Sequence, residues 1–302
     1  MSVVVTSPGN QQPGADALSR FLAATGPTSA ATGPGRRPAL VLTGAGVSTD
    51  SGIPDYRGPD APARTPMTIG EFRSGPAARQ RYWARSHLGW HRMHRATPNT
   101  GHRALADLQH RGVVGSLITQ NIDGLHQRAG TSRVIDLHGR IDRVICLACH
   151  AVSGRADLHA RLEAANPGFG DGLDLTHRPD GDVELADTSR FVMVDCPVCG
   201  GDLKPDVVFF GENVPPERVA ECYRLVEGAA ALLVLGSSLT VQSGLRFVRR
   251  AHRLGTPVAI VNRGITRGDV FADLKLDAGC SELLTQVVSR IGPAGFRRRA
   301  PR

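Results

Sequence analysis

Four cysteines stand at metal-binding spacing. Cys146-Leu147-Ala148-Cys149 and Cys196-Pro197-Val198-Cys199 each place two thiols on one tight turn, and two such turns complete a tetrahedral zinc site. Four sulfurs leave that zinc no open position for substrate, so its expected role is structural. Gly200 and Gly201 suit the turn out of the second pair. Two readings compete: unrelated buried pairs, and a CxxCH haem attachment over Cys146–His150. The second pair and the want of an export signal disfavour haem.

Three further clusters are polar and follow apolar runs. Gly44-Ala45-Gly46-Val47-Ser48 comes after ALVLT, as in a loop whose glycines let backbone approach a pyrophosphate. The dinucleotide fingerprint is incomplete, because Thr49 stands at the third glycine and Pro54 stops a long helix. A plain glycine turn is the alternative, and an ordinary hydride-transfer dehydrogenase is disfavoured. Thr119-Gln120-Asn121-Ile122-Asp123 offers amides and a carboxylate suited to ribose hydroxyls or a carboxamide. His138, in Leu137-His138-Gly139, is a candidate general base, set against the plainer role of a structural histidine.

The elements that must hold these groups can be read from periodicity. Apolar runs at 38–43, 113–119, 133–139, 231–238 and 257–264 each end in a polar or glycine turn, and helix-length segments lie at 100–111, 216–228, 243–254 and 281–290. Buried strands alternating with helices give an α/β fold, a doubly wound parallel, Rossmann-like sheet, with ligand residues at the carboxyl ends of the strands. That sheet is expected over 38–139 and 206–292. Both CxxC pairs fall in 140–205, read as an inserted small zinc-binding domain. Residues 56–98 are read as a helical insertion, 1–37 as a mobile, disordered arm, with a short amphipathic helix over 15–24 as the alternative there, and 293–302 as a basic tail.

Composition narrows the class. The 302 residues are 41% hydrophobic and 21% charged, which excludes global disorder, and no apolar run nears the length of a membrane span. The N-terminal segment does not read as a secretory signal, so the cytoplasm is the default. The net charge of +8 invites a nucleic-acid partner. The excess, however, sits in residues 1–37, in Arg297–Arg299 and Arg302, and in segment 71–95, where Arg73, Arg79, Arg81, Arg85, Arg92 and Arg95 face only Glu71. The rest of the chain is net acidic. No nucleic-acid or membrane partner is therefore expected, and nothing demands more than a monomer.

Taken together, GAGVSTDSGIPDYRG, TQNIDGLH, LHG, the paired CxxC turns, KPDVVFFGE, GSSLTVQSG and IVNRG resemble the motif series of the sirtuins, which are NAD-dependent protein lysine deacylases. The likeness runs in order from about residue 38 to 288. Tyr56 in PDYR, RQRYWAR, DRVICLACH and PDGDV are similar to the class II, mitochondrial lipoamidase-type branch.

The resemblance implies NAD as cosubstrate across the carboxyl edge of the sheet. Gly44, Ala45, Gly46 and Ser48 would wrap its phosphates, and Asp55, Tyr56 and Arg57 would close over the nicotinamide side. Gln120 and Asn121 would hold the nicotinamide ribose, and Asp123 the carboxamide. Gly236, Ser237, Ser238, Asn262, Arg263 and Gly264 would meet phosphate and adenosine ribose, and Cys280 would meet adenine through its backbone. The acyl oxygen of an acyl-lysine protein substrate would attack as nicotinamide leaves. His138 would then serve as base, with Gln120 and Asn121 also in the catalytic set, giving free lysine and O-acyl-ADP-ribose. The substrate strand would lie along Val208, Phe209, Phe210 and Gly211. Tyr82 and Arg85, three apart on an expected helix, would favour acidic or branched acyl groups. Protein mono-ADP-ribosylation is the alternative activity.

Overall fold

The computed structural model describes residues 2–3, 12–25, 37–55, 66–172, 183, 185 and 187–291. Tyr56 and Arg57, the 293–302 tail and most of the PDGDV loop lie outside the described residues. The chain begins with β1 (Ser2–Val3), α1 (Gln12–Thr25) and β2 (Ala39–Thr43), followed by α2 (Ile69–Arg73), α3 (Pro76–Arg95) and α4 (Thr100–His110). Next come β3 (Val114–Thr119), α5 (Leu125–Arg128), β4 (Val134–Asp136), β5 (Gly139–Cys146), β6 (Val152–Gly154) and α6 (Arg155–Ala165). After β7 (Leu203–Val207) the chain runs through α7 (Pro216–Gly228), β8 (Leu232–Leu235), α8 (Gln242–Arg253), β9 (Val258–Val261), β10 (Leu274–Leu276) and α9 (Cys280–Ile291).

Seven strands form one parallel sheet in the order β1-β10-β9-β8-β2-β3-β4. Its central strands are apolar throughout because helices cover both faces. Side chains alternate between those faces. Ala39, Val41, Leu117, Leu233 and Val261 join α1, α4 and α9 on one side. Leu40, Leu42, Ile118, Leu232 and Ile260 join α7 and α8 on the other. Strand order reverses between β2 and β8, and the crevice at the carboxyl ends of such a pair is where open α/β sheets bind ligands. Among the described residues no helix is long and apolar enough to cross a membrane.

A smaller antiparallel sheet, β6-β5-β7, branches off at Gly139. Gly139 is paired with Val207 and has φ +78°, and a Cβ there would collide with the Asp206 carbonyl. The residue after His138 must therefore be glycine for the two sheets to diverge at that point. A third core cluster joins Phe72, Tyr82 and Trp83 of α2 and α3 to Val144, Leu158, Leu203 and Phe209. It fixes the helical insertion to the small sheet. Thr68 caps α2 through a reciprocal bond with Glu71, and Pro76 opens α3 where its missing N–H costs nothing.

The N-terminal segment departs from expectation. Residues 12–25 form a helix rather than a mobile arm, and β1 adds a strand to the sheet edge beside β10. Ala15, Leu18 and Leu22 fall on one stripe of α1 and are fully buried with Leu283, Leu284 and Val287 of α9. Arg290 Nε donates to Asp16 Oδ1 at 2.6 Å across the same contact. Such a short apolar stripe has little helical stability in isolation and needs the outer face of α9 to order it.

Candidate active site

The crevice between β2 and β8 is built by backbones in close contact. Gly44 N–H donates to Leu235 O at 3.0 Å and Gly46 N–H to Gly236 O at 2.9 Å. A Cβ on Gly44 would lie 2.8 Å from Gly236 O, and one on Gly46 would lie 2.9 Å from Gly236 Cα. Gly236 itself has φ +59°, with Val47 N only 2.5 Å from where its Cβ would be. The glycines are thus required by the packing of one loop on the other, before any ligand is considered. Ala45 opens the short 3-10 turn that ends at Val47, so the chain curls over the end of β2 instead of entering a long helix.

Polar side chains from β3 converge on this loop. Asn121 Nδ2 donates to Gly44 O at 3.1 Å and to Ser48 Oγ at 3.0 Å, and Ser48 Oγ donates to Asp123 Oδ2 at 2.7 Å. Asp123 Oδ1 also accepts the Leu125 N–H at 2.8 Å, capping α5. Burial raises the Asp123 carboxyl above its ordinary range, while the two donors oppose the rise. The hydroxyl of Ser48, expected at phosphate, is therefore already engaged with Asn121 and Asp123. Gln120 Nε2 donates to Ser237 Oγ at 2.8 Å, linking β3 to the turn after β8. Gly244 leaves room for this amide, because a Cβ there would sit 2.6 Å from Gln120 Oε1.

His138 follows β4 and is held from both ends. Its Nδ1 lies 2.9 Å from Gln120 O, and a carbonyl only accepts, so Nδ1 carries the proton. Nε2 is then the basic nitrogen of the neutral ring and accepts from the hydroxyl of Ser243 at 2.8 Å. Burial lowers the pKa of this histidine, the Gln120 carbonyl opposes, and Arg218 and Arg246 lower it further. The ring is half-buried. It is thus held as a neutral ring with a defined tautomer. Ser243, buried near the start of α8, was not singled out in the sequence. Its only trace there was a place in the GSSLTVQSG motif, 105 residues from its partner.

Behind this front lies a second layer, of which the sequence marked only Thr119 and His126, both within TQNIDGLH. Thr43 Oγ1 donates to Thr119 Oγ1 at 2.9 Å and lies 3.0 Å from His126 Nε2. Asn99 Nδ2 donates to Val47 O at 2.8 Å, while Asn99 Oδ1 lies 2.9 Å from His102 Nδ1. The two imidazoles pack at 4.7 Å between centroids, and burial lowers both of their pKa values, that of His102 to about 4. This layer ties β2, β3 and α4 together directly beneath the glycine loop.

The distal end of the crevice is more open. Asn262 donates to Arg263 O at 2.6 Å, and Gly264, at φ +76°, donates its N–H to Asp277 at 3.2 Å. The Arg263 guanidinium covers Gly279, where a Cβ would meet it at 2.8 Å. Cys280 is buried at the start of α9, and burial pushes its thiol up to about 12, so it stays a neutral packing group. Ser238 pairs with Thr240 at 3.1 Å. Asp55 is described, half-buried, at the end of the loop.

On the small-sheet side, Val208 N–H donates to His138 O at 2.8 Å, so the 208–211 segment is anchored beside the base. Phe209 N–H donates to Glu212 at 2.9 Å, and Phe210 O accepts from Ile69 N–H at 2.9 Å. Phe210 and Gly211 are exposed, whereas Phe209 is buried against Tyr82 and Phe72, with ring centroids 5.3 and 5.1 Å away. Tyr82 thus joins the 208–211 segment, while Arg85 donates from Nε to Val183 O at 2.8 Å.

The four cysteines come together at the end of the small sheet. Their sulfurs all lie within 4.8 Å of one another, with Cys146–Cys199 at 3.5 Å and Cys149–Cys196 at 3.8 Å. A Zn–S length of about 2.3 Å gives a tetrahedron with sulfur edges of about 3.8 Å, so the donor set fits zinc. Each turn leaves its last cysteine through a left-handed residue, His150 at φ +59° and Gly200 at φ +72°. Cys146 and Cys149 share one cluster with Cys196 and Cys199 that exposed His150 does not join, and this disfavours the haem reading.

Against known proteins, a family model described as "Sir2 family" matches residues 44–243. The chain is 57% identical over 263 residues to NAD-dependent protein deacetylase 1 of Mycobacterium avium (strain 104), covering 86% of this chain and 93% of that protein. It is 49% identical over 238 residues to NAD-dependent protein deacylase SIR4 of Monosiga brevicollis, covering 77% of each. The solved structure "Sir2-p53 peptide-NAD+" is similar at a TM-score of 0.68 and 34% identity, over 85% of this chain and 94% of that one. Sequence, sheet topology and the four-cysteine module agree, and the chain belongs to the Sir2 family of NAD-dependent protein deacylases.

Proposed function

We propose that the acyl oxygen of a protein acyl-lysine attacks the ribose C1′ of NAD as nicotinamide leaves, and that water then completes acyl transfer to the ribose, giving free lysine and O-acyl-ADP-ribose. The observation that carries the reading is His138: neutral, fixed as the Nδ1–H tautomer, with Nε2 against the hydroxyl of Ser243. A substrate ribose hydroxyl that replaces Ser243 at Nε2 would lose its proton to this nitrogen and become the nucleophile that accepts the acyl group. Asn121, Ser48 and Asp123 form a fixed polar floor suited to the carboxamide and ribose, and Gln120 with Ser237 closes the β8 side. The glycine loop, Ala45, Ser238, Asn262, Arg263, Gly264 and the Cys280 backbone extend along the same strand ends, toward phosphate and adenosine. Asp55, with Tyr56 and Arg57 of the next segment, is assigned to the nicotinamide side.

The same proposal covers the acyl group. Tyr82 stands against Phe209 beside the substrate segment, with Arg85 one turn on, and this supports a preference for carboxylate-bearing or branched chains over acetyl. The test is steady-state nicotinamide release with acetyl, succinyl, glutaryl and hydroxymethylglutaryl peptides, repeated with His138→Ala. Release should depend on the peptide and fall by a factor of about 10² or more in the variant. Peptide-independent release, or full activity in the variant, overturns the deacylase reading. An acetyl peptide that wins by about tenfold in kcat/KM, roughly 1.4 kcal/mol of transition-state binding, overturns the acyl preference alone.

A further inference from the structure

Away from the crevice, α3 and α6 face each other with matched side chains. His87 and His91 stand one turn apart on α3, and His159 and Glu163 one turn apart on α6. Glu163 Oε2 lies 3.2 Å from His87 Nε2 and 3.9 Å from His159 Nε2, and the three donor atoms fall within 4.8 Å of one another. The His87 and His159 rings are 4.6 Å apart, and His91 meets His159 edge-on at 4.8 Å.

We propose that His87, His159 and Glu163 form a second metal site, for a divalent transition ion of the zinc or nickel kind, which clips α3 to α6. Imidazoles select such ions, and two of them with one carboxylate make a ligand set that zinc accepts. Three protein donors leave a position for the solvent-facing His91 or for water. The histidines are held in their neutral, ligating form, because burial lowers both His87 and His159 to about 4. Among the described residues neither Nδ1 has a hydrogen-bond partner, so the one carboxylate is the only polar group fixing both rings. Glu163 is exposed, which gives an ion a way in. Buried Arg155, stacked between Trp83 and Trp90, repels a cation here, and the Glu163 charge opposes it. The site is therefore weaker than the four-thiolate one. Because α3 also carries Tyr82, an ion here would stiffen the helix that lines the acyl side.

The test uses the full chain with zinc already in the cysteine site. Equilibrium dialysis against Zn²⁺ with elemental analysis should give a second ion per chain. Added Co²⁺ should give visible ligand-field bands without thiolate charge transfer. Glu163→Gln and His159→Gln, checked for unchanged thermal unfolding in metal-free buffer, should lower the second affinity by about tenfold or more and keep the first ion. Retention of a single ion by the parent chain, or a second affinity unchanged in both variants, overturns the proposal.

Discussion

At the scale of single residues, the decisive arrangement is a carbonyl, an imidazole and a hydroxyl in line. Gln120 O fixes the tautomer of His138, and Ser243 Oγ bonds its other nitrogen. In the proposed reaction Ser243 is a positioning residue, because it acts through His138. Ser243→Ala should lower kcat/KM by about tenfold, on the order of 1.4 kcal/mol. It should also shift the acid limb of the kcat/KM profile, which reports the free enzyme in which Ser243 holds Nε2, and Ser243→Thr should restore both. An unaltered pH profile in the alanine variant would make the contact incidental. In the parent enzyme the acid limb should lie below the ordinary histidine value of 6.5, because the lowered pKa keeps His138 a base at lower pH.

At the scale of elements, the glycine loop after β2 and the turn after β8 form one unit. Gly236→Ala would place a Cβ 2.5 Å from Val47 N and force a left-handed φ on alanine. It should cost about 2–3 kcal/mol of stability, read as a lower urea midpoint, and should weaken NAD binding as well. A neutral midpoint would mean that the two loops are free to separate. The sequence made the glycines legible as a loop that could approach phosphate. That they must first accommodate each other was not legible, because β2 and β8 are distant in the chain. The same limit explains α1: its stripe of Ala15, Leu18 and Leu22 was visible, but not the α9 face that orders it.

At the scale of the whole molecule, buried neutral histidines set the response to acid. Burial holds His87, His102 and His159 near 4 and His126 well below its ordinary value, whereas unfolded histidines titrate near 6.5. The unfolded chain therefore binds more protons than the folded one as pH falls below 6.5. This contribution to stability is complete above that value and is lost progressively from pH 6.5 toward 4. Urea midpoints between pH 7.5 and 4.5 should decline across that window, and a flat profile would contradict the burial.

By itself the sequence determined the strand–helix alternation, the polar residues at the strand ends, the four-thiolate zinc site and the family. Each of these is written in local periodicity or in short spacings that one turn can satisfy. Only the tertiary structure decided that Ser48 bonds Asp123 and Asn121, that Ser243 bonds His138, and that His87 meets Glu163. Those partners are brought together by sheet order and helix packing. Such long-range contacts depend on how buried faces fit one another, and no local pattern of residues encodes that fit.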